Sequence, residues 1–264
     1  MELALIFILS VIIAFALATG SFLNVIIYRV PRKESIVWPG SHCPKCGEGL
    51  SWYDNIPLLS WFWLRGRCRH CGRPISWQYP LVELTTALLL VAAFFKFGVD
   101  LKFIFAALML LVLLTVAVVD AQRQIIPNRI ILPSLVVVPI LAVAAGLAGR
   151  QAMPIVGSVG YLEMAIGFVL GGGLLLIIAM VRPGGMGGGD IKLAAFMGIF
   201  LGRYVLIALF IGFLLGSLAG IISMAFFHKS RKDLLPFGPY LSLGAMLTLF
   251  FGYELFQWYI GFIL

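Results

Sequence analysis

The sequence predicts an all-α polytopic membrane protein with about eight transmembrane helices. Hydrophobic residues make up 62% of the chain and charged residues only 11%, whereas a soluble domain carries about 25% charged residues. The apolar residues also stand in long uncharged runs, of which the longest are Leu3–Ile27, Ile130–Gly149 and Tyr204–Phe227. About 20 apolar residues cross a bilayer as a helix, and in hydrocarbon the backbone must satisfy its own hydrogen bonds. We therefore expect each run to be a transmembrane helix.

Further apolar segments complete the predicted set: Leu84–Phe95, Phe103–Val119, Met164–Val181, Leu193–Gly202 and Tyr240–Leu264. Leu193–Gly202 is too short to cross a bilayer alone, so we expect it either to extend or to be a half-crossing buried in protein. The triglycine Gly171–Gly173 favours close packing between helices. No basic residue precedes Arg29. This favours a permanent first transmembrane helix, residues 1–28, over a cleaved signal peptide.

The chain is basic, with 19 Lys and Arg against 11 Asp and Glu. The basic residues concentrate between the apolar runs, and cytoplasmic loops of membrane proteins are rich in Lys and Arg. An N-terminus outside the cytoplasm places most of them on the cytoplasmic side of the membrane. We interpret the charge as this topological bias, with the lipid bilayer as the partner, and not as nucleic-acid binding.

The longest loop, residues 29–80, contains all 4 cysteines and is predicted to be a small cytoplasmic domain. Residues 81–264 are predicted to form the larger, transmembrane domain. The loop is also rich in aromatic residues, namely Trp52, Tyr53, Trp61, Phe62, Trp63, Trp77 and Tyr79. These rings either lie against lipid headgroups, where amphipathic rings are favoured, or form a small core of the loop itself.

The cysteines form two C-x-x-C pairs: Cys43 with Cys46, and Cys68 with Cys71. Each pair can present two thiolates to one tetrahedral metal ion, and two pairs make the closed four-cysteine arrangement of structural zinc sites. Gly47 and Gly72 follow the pairs and permit the tight turns that bring backbone amides close to the sulfurs. Two disulfides or a redox motif are the alternatives, but disulfides are rare in the cytoplasm. We predict one structural Zn²⁺ that stabilises a loop too small to fold alone.

Two carboxylates are predicted to reach the same membrane face. Asp120 ends the uncharged helix Phe103–Val119 on its cytoplasmic side, and Asp190 follows the glycine-rich stretch Gly184–Gly189 on that side too. Ionisable residues at membrane depth are costly and often functional. Glycines beside a carboxylate let the backbone approach a ligand or a neighbouring helix. The alternative is structural, with Asp120 as an interfacial residue and Asp190 as the N-cap of the next helix.

If Asp120 and Asp190 meet, their chemistry is that of an aspartic protease. Two carboxylates about 3 Å apart cannot both ionise, so they share one proton. The ionised carboxylate activates water as a general base, and the protonated one donates to the scissile carbonyl oxygen and then to the leaving amine. The pair titrates as a unit, so neither residue is assigned a fixed role.

Short motifs follow one another along nearly the whole chain. In the first half they are Gly20-Ser-Phe-Leu-Asn24, Tyr28-Arg29, Pro31, Ser41, Cys43-Pro44, Cys46-Gly47, Asn55-Ile-Pro57, Gly66, Cys68, Cys71, Tyr79-Pro80 and Glu83. In the second half they are Asp120 with Ile126-Pro127, Gly187-Gly-Gly-Asp190 with Lys192, and Pro236-Phe-Gly-Pro239. In this order they resemble the motifs of type IV prepilin peptidases, including the G-x-G-D signature of intramembrane aspartic proteases.

The resemblance implies a substrate and a second activity. The enzyme would remove the short basic leader of type IV prepilins or related pseudopilins, for a type IV pilus or a type II secretion system. Cleavage would follow a glycine at the cytoplasmic membrane face, with Asp120 and Asp190 as catalytic residues. S-adenosylmethionine would then methylate the new N-terminal residue, an activity linked to the zinc-binding loop. Glu83, Lys192 and Gly189 are candidates for substrate binding.

Other classes of protein remain open from the residues alone. A membrane transporter would use the carboxylates as a proton relay, but it should show two related halves and broken helices at mid-membrane. A non-enzymatic, zinc-stapled assembly platform would not need Asp120 or Asp190. An intramembrane protease with other substrates would keep the same chemistry.

Overall fold

The computed structural model describes residues 2–150, 153–157, 160–182, 185–227 and 236–263. These residues are mostly helical and form no strand; the bridges His42–Gly49 and Arg67–Pro74 are isolated. The predicted all-α class is therefore confirmed. The chain divides into two compact units, Met1–Lys96 and Phe97–Leu264. The finer division at residues 28 and 80 stays a prediction.

The N-terminal unit contains the helices α1 (Glu2–Arg29), α2 (Leu59–Trp63) and α3 (Gln78–Phe97). The cysteine loop connects α1 to α3. The side chain of Asn24 in α1 donates a hydrogen bond to the carbonyl oxygen of Tyr79 in α3, at 3.1 Å. Gly20 lies so close to α3 that an added Cβ would stand 2.7 Å from the Cα of Glu83. The two helices therefore meet backbone to backbone at this point.

Arg29 fixes the start of the loop to the end of α1. The residue is only 5% exposed. Its guanidinium donates hydrogen bonds to the carbonyl oxygens of Ser35 at 3.0 Å and Gly40 at 2.9 Å. These bonds satisfy loop carbonyls that no regular secondary structure would pair. The sequence alone does not reveal this structural role of Arg29, because the carbonyl partners depend on how the loop folds back.

The C-terminal unit contains the helices α4 (Leu101–Arg123), α5 (Asn128–Leu147), α6 (Tyr161–Phe168), α7 (Leu174–Val181), α8 (Gly188–Leu201), α9 (Val205–Phe227) and α10 (Gly238–Ile263). A π-helical turn, Val169–Gly173, joins α6 to α7 without a break. A 3-10 turn, Gly202–Tyr204, joins α8 to α9. The predicted apolar segments fall on these helices, their joining turns, α1 or α3, apart from Ala148 and Gly149, which follow the end of α5, and Leu264, which lies outside the described residues.

Within the described part of the chain, 6 helical stretches are long and apolar enough to cross a membrane. They are Glu2–Arg32, Gln78–Phe97, Leu101–Arg123, Asn128–Leu147, Tyr161–Val181 and Gly188–Phe226. The number is lower than the predicted eight because α8 and α9 form one continuous stretch and α10 is not among the six. In α10 the apolar residues are interrupted by Glu254 and Gln257.

Helix α8 is buried over most of its length, since every residue from Leu193 to Leu201 is buried. Its 14 residues span about 21 Å, less than the roughly 30 Å of a hydrocarbon core. Protein surrounds the helix, so its ends do not have to reach the headgroups on both sides. The burial agrees with one of the two alternatives, a short segment buried in protein, while the extension to 14 residues and the continuation into α9 agree with the other.

Glycines allow α8 to approach its neighbours closely. A Cβ on Gly167 of α6 would lie 2.0 Å from the carbonyl oxygen of Gly198, and a Cβ on Gly198 would lie 2.0 Å from that of Gly167. A Cβ on Gly171 would lie 2.3 Å from the carbonyl oxygen of Ala194. The predicted packing role of the triglycine therefore holds for Gly171. At Gly173 a Cβ would meet only Val169, at an ordinary 3.8 Å.

The aromatic residues of the loop are largely exposed. Trp52 is 80% exposed, Trp63 84%, Phe62 63% and Trp77 61%, which is too open for a core formed by these rings. Trp61 is less exposed than these four rings, and it contacts the Trp77 ring at a centroid distance of 4.1 Å. The exposure favours contact of the outer rings with lipid headgroups over the alternative of a small aromatic core.

Gly198→Ala should destabilise the protein, because its Cβ would collide with the backbone of α6. Overpacking of this kind costs about 1–3 kcal/mol. The matched control is Gly220→Ala in α9, where an added Cβ meets nothing within 4 Å. That change should be neutral or stabilise by up to about 1 kcal/mol, because alanine favours the helix. Thermal unfolding of the detergent-solubilised protein measures both, and equal melting temperatures would contradict the packing account.

Candidate functional site

Asp120 lies in the last turn of α4 and is only 5% exposed. Its Oδ2 atom accepts a buried hydrogen bond of 2.8 Å from the backbone N–H of Gly238, the first residue of α10. A Cβ on Gly238 would lie 2.8 Å from that same oxygen. Glycine is therefore the residue that lets the start of α10 approach the carboxylate. Asp120 is therefore a buried, hydrogen-bonded carboxylate, and the alternative of an interfacial residue stays open.

Asp190 lies in the first turn of α8. The N-cap of this helix is Gly187, so the alternative of Asp190 as N-cap is wrong. The Asp190 carboxylate instead points back toward the N-cap. Its Oδ2 atom is so near Gly187 that a Cβ added there would lie 2.9 Å from it. The backbone N–H groups of Gly187 and of Asp190 itself interact with the carboxylate. Gly184, at the start of the glycine-rich stretch, lies outside the described residues.

The C-terminal unit brings the two aspartates to the same end of its helices. Asp120 stands at the end of α4, and Asp190 and Gly238 stand at the starts of α8 and α10. Helix α8 packs against both α4 and α10. The Asp120 carboxylate lies within electrostatic range of Asp190. Two acids from distant parts of the chain thus lie near the same end of this unit.

Lys192 and Gly189 connect the start of α8 to the segment that follows Asp120. The Lys192 ammonium donates a hydrogen bond of 3.0 Å to the side-chain oxygen of Asn128, the first residue of α5. A Cβ on Gly189 would lie 2.9 Å from Cβ of Ile126. These contacts hold α8 against the connection between α4 and α5, and so they position Asp190 near Asp120. The partners Asn128 and Gly238 were not among the predicted site residues.

Glu83 belongs to the N-terminal unit, in the second turn of α3, and is 6% exposed. One carboxylate oxygen accepts a hydrogen bond of 2.8 Å from the backbone N–H of Leu58. The hydroxyl of Ser21 in α1 also bonds to the carboxylate. The predicted substrate-binding glutamate is thus buried behind a loop segment and a helix of its own unit.

The four cysteines come together in the N-terminal unit as free thiols. All four Sγ atoms lie within 4.8 Å of one another, and those of Cys43 and Cys71 are 4.0 Å apart. A disulfide needs about 2.05 Å between sulfurs, so the disulfide alternative is not what the loop forms. A tetrahedral metal bound at about 2.3 Å holds its sulfurs about 3.8 Å apart. The spacing of the thiols fits such an ion.

The two C-x-x-C segments form turns with the same hydrogen-bond pattern. Around the first pair, the backbone N–H groups of residues 43, 47 and 50 donate to the carbonyls of residues 48, 43 and 41. Around the second, those of residues 68, 72 and 75 donate to residues 73, 68 and 66. Gly47 and Gly72 take φ values of 76° and 66°, which glycine adopts without strain. The two turns are structural copies, a repeat that is weak in the sequence.

The backbone of each turn favours negative charge on sulfur. Burial opposes ionisation of Cys43, but the N–H groups of Lys45 and Cys46 lower its thiol pKa from 9.0 to about 7. At Cys46 the backbone N–H of Glu48 also lowers the thiol pKa. Burial and the sulfurs of Cys43 and Cys71 outweigh it and raise the pKa of Cys46 to about 11. A divalent cation would remove this conflict by compensating several thiolates at once.

An ion pair within the loop supports the second cysteine turn. The guanidinium of Arg69, between Cys68 and Cys71, donates to the carboxylate of Asp54 at 2.7 and 3.0 Å. Asp54 is 8% exposed. Bidentate pairs fix geometry as well as charge. The side chain next to the second cysteine pair is therefore tied to the segment between the two pairs.

Known protein families match both units of the chain. Residues 14–97 match the bacterial peptidase A24 N-terminal domain. Residues 107–221 match the type IV leader peptidase family. The two matches cover the cysteine loop and the two aspartates respectively. No solved structure matches the chain significantly.

Several curated proteins named prepilin leader peptidase/N-methyltransferase are similar over almost their whole length. The protein from Bacillus subtilis is 35% identical over 253 residues, which cover 96% of this chain and 98% of the relative. That from Legionella pneumophila is 33% identical over 273 residues, covering 94% and 93%. That from Aeromonas hydrophila is 34% identical over 278 residues, covering 95% and 93%. Two domain matches in one order, together with full-length relatives, show that the chain belongs to the type IV leader peptidase family.

Proposed function

We propose that this protein removes the short basic leader from type IV prepilins or related pseudopilins and then N-methylates the new N-terminal residue. Cleavage follows a glycine at the cytoplasmic face of the inner membrane, with Asp120 and Asp190 as the catalytic pair. Membership of a peptidase family and the names of the relatives support both activities. They favour an enzyme over a transporter with a proton relay and over a zinc-stapled assembly platform.

The peptidase proposal is supported by the placement of Asp120 and Asp190 at the same end of packed helices, within electrostatic range of each other. One carboxylate, ionised, takes a proton from a water molecule while that water attacks the scissile carbonyl carbon. The other, protonated, donates its proton to the carbonyl oxygen. Collapse of the tetrahedral intermediate breaks the C–N bond: the pair passes its proton to the leaving amine and takes one back from a hydroxyl of the intermediate as the new carboxyl group forms. The pair ends with one proton, as it began.

The backbone in front of Asp190 leaves room for a peptide. Gly187 and Gly188 are both exposed. A Cβ on Gly188 would meet nothing within 4 Å. An extended substrate backbone can therefore approach the carboxylate without displacing a side chain of this helix turn. Gly189 and Lys192 contribute to substrate binding in this proposal by holding the turn in place.

The cysteine site is proposed to hold one structural Zn²⁺. The donor set supports this choice, because four thiols at one point leave no position open for substrate. Cys43, Cys46, Cys68 and Cys71 would hold the ion, whose chemistry is to cross-link the two turns of the loop. S-adenosylmethionine is proposed as the methyl donor on the strength of the relatives' names.

Asp120→Asn and Asp190→Asn should each reduce leader cleavage by about 100-fold or more, because each removes one partner of the proton transfer. The assay is purified protein in detergent with a synthetic prepilin. Asp100→Asn is the matched control: this aspartate caps α4 by accepting the N–H of Lys102 at 2.8 Å, and asparagine caps equally well. Normal turnover by either of the first two variants would reject the aspartate pair.

Gly238→Ala should reduce leader cleavage by about 10- to 100-fold, because the new Cβ collides with Asp120 and disturbs a hydrogen bond to a carboxylate. Gly261→Ala is the control in the same helix, where an added Cβ meets nothing within 4 Å. Initial rates at equal amounts of folded protein give the comparison. Equal rates for the two variants would mean that the contact at Gly238 is not needed for catalysis.

Metal analysis of the purified protein should find one zinc ion per chain. Cys43→Ser should lose it, because the hydroxyl is a poor replacement for a thiolate in a four-sulfur site. His70→Ala is the control, since His70 lies between Cys68 and Cys71 but outside the thiol cluster. Loss of zinc from His70→Ala, or its retention by Cys43→Ser, would change the proposed ligand set.

A further inference from the structure

A pocket of about 230 Å³ opens in the N-terminal unit between one face of α1 and the loop. Its wall includes Ser21, Phe22 and Val25 of α1 and Ser41, Asn55 and Pro57 of the loop. Two hydroxyls and an amide thus stand beside apolar side chains. The volume is below the roughly 300 Å³ at which pockets for whole cofactors begin. It suits the end of a peptide better than a complete nucleoside-containing methyl donor.

A buried carboxylate lies directly behind this wall. Ser21 lines the pocket and bonds to Glu83, and Leu58, which follows the wall residue Pro57, donates its N–H to the same carboxylate. Among the described residues, no Lys, Arg or His side chain forms an ion pair with Glu83. Buried carboxylates are usually paired with a cation. The arrangement therefore provides negative charge behind a polar pocket and leaves the positive charge to a ligand.

The loop segment at the pocket is held in a strained turn. Leu58 has φ 61° and ψ −54°, and the N–H of Leu59 donates to the carbonyl of Pro57 at 2.7 Å. This is the rare γ-turn with positive φ at its central residue, a costly conformation for a leucine. The turn is what points the Leu58 N–H at Glu83. Such strain persists where surrounding contacts enforce it, and here it places Pro57 at the pocket and Leu58 against the carboxylate.

From these observations we infer that the pocket captures the free N-terminal amine of the leader-free product, in the position required for its methylation. The inference rests on the proposed function and adds a site to it. The ammonium group has three donors, for which the oxygens of Ser21, Ser41 and Asn55 are acceptors. Phe22, Val25 and Pro57 contact the apolar first side chain. Glu83 is a positioning residue: it orients Ser21 and the strained turn and supplies the opposite charge.

Binding of a leader-free peptide tests the inference without methyl transfer. The probe is a synthetic peptide that begins with Phe, continues with an apolar helix sequence and carries a fluorophore at its C-terminus. A second peptide differs only by an acetyl group on the N-terminal nitrogen. Fluorescence anisotropy with the full chain in detergent, without methyl donor, should show at least about tenfold tighter binding of the free amine. Equal affinity, or no binding of either peptide, would overturn the inference.

Variants then test which residues cause the preference for the free amine over the acetylated peptide. Ser21→Ala and Glu83→Gln should each remove most of the tenfold preference for the free amine and leave the affinity for the acetylated peptide unchanged. If these residues had a purely structural role, the variants would weaken the binding of both peptides alike. Ser10→Ala is the control on the same helix, because the Ser10 hydroxyl only bonds to the carbonyl of Ile6 at 2.8 Å. If Glu83→Gln does not fold, Ser21→Ala decides, and an unchanged preference in that variant rejects the pocket.

A parallel assay separates the two levels of the proposal. The unaltered chain is given a full synthetic precursor, and removal of the leader is measured. Cleavage without discrimination between the free and acetylated peptides would reject the pocket and leave the peptidase function intact. Absence of cleavage by protein that carries its metal would count against the proposed function itself.

Discussion

Close approach of helix backbones at glycine is the constraint on which the C-terminal unit depends. Gly167 and Gly198 bring α6 against α8, and Gly244 brings α10 so near α9 that a Cβ would lie 2.3 Å from the carbonyl oxygen of Ala208. Lipid offers no hydrophobic driving force between helices, so tight van der Waals contact at small residues must supply the cohesion. The same contacts gather the ends of α4, α8 and α10 into one place. That convergence is what the proposed pairing of Asp120 with Asp190 requires.

The sequence was sufficient for features that depend on local pattern. Uninterrupted apolar runs predicted the helices, and the spacing of Cys43, Cys46, Cys68 and Cys71 predicted their meeting, because each C-x-x-C turn is a local structure. Topology alone predicted that two aspartates would share a membrane face. The contact between Gly238 and Asp120 joins residues 118 positions apart, and no local pattern reports it.

Other differences have local causes that the sequence does not settle. Asp190 and Gly187 are both plausible N-caps, and only the extended backbone of Gly187 decides between them. The positive φ of Leu58 could not be expected, since leucine disfavours it and the Glu83 carboxylate that enforces it lies 25 positions away. The exposure of the aromatic residues also depends on how the loop folds. Most of the rings are exposed because two cysteine turns and the Arg69–Asp54 pair organise the loop without an aromatic core.

The location of the acids at helix termini has a geometric consequence for what can be cut. A peptide bond inside a continuous helix has its carbonyl occupied by an N–H four residues further on, so water gains access only after unwinding. Asp120 lies in the last turn of one helix and Asp190 in the first turn of another. If they cut the peptide as proposed, cleavage takes place level with the boundary where a neighbouring helix would itself start. A bond just outside that boundary would then be accessible, while one a turn further in would be shielded by its own hydrogen bonds.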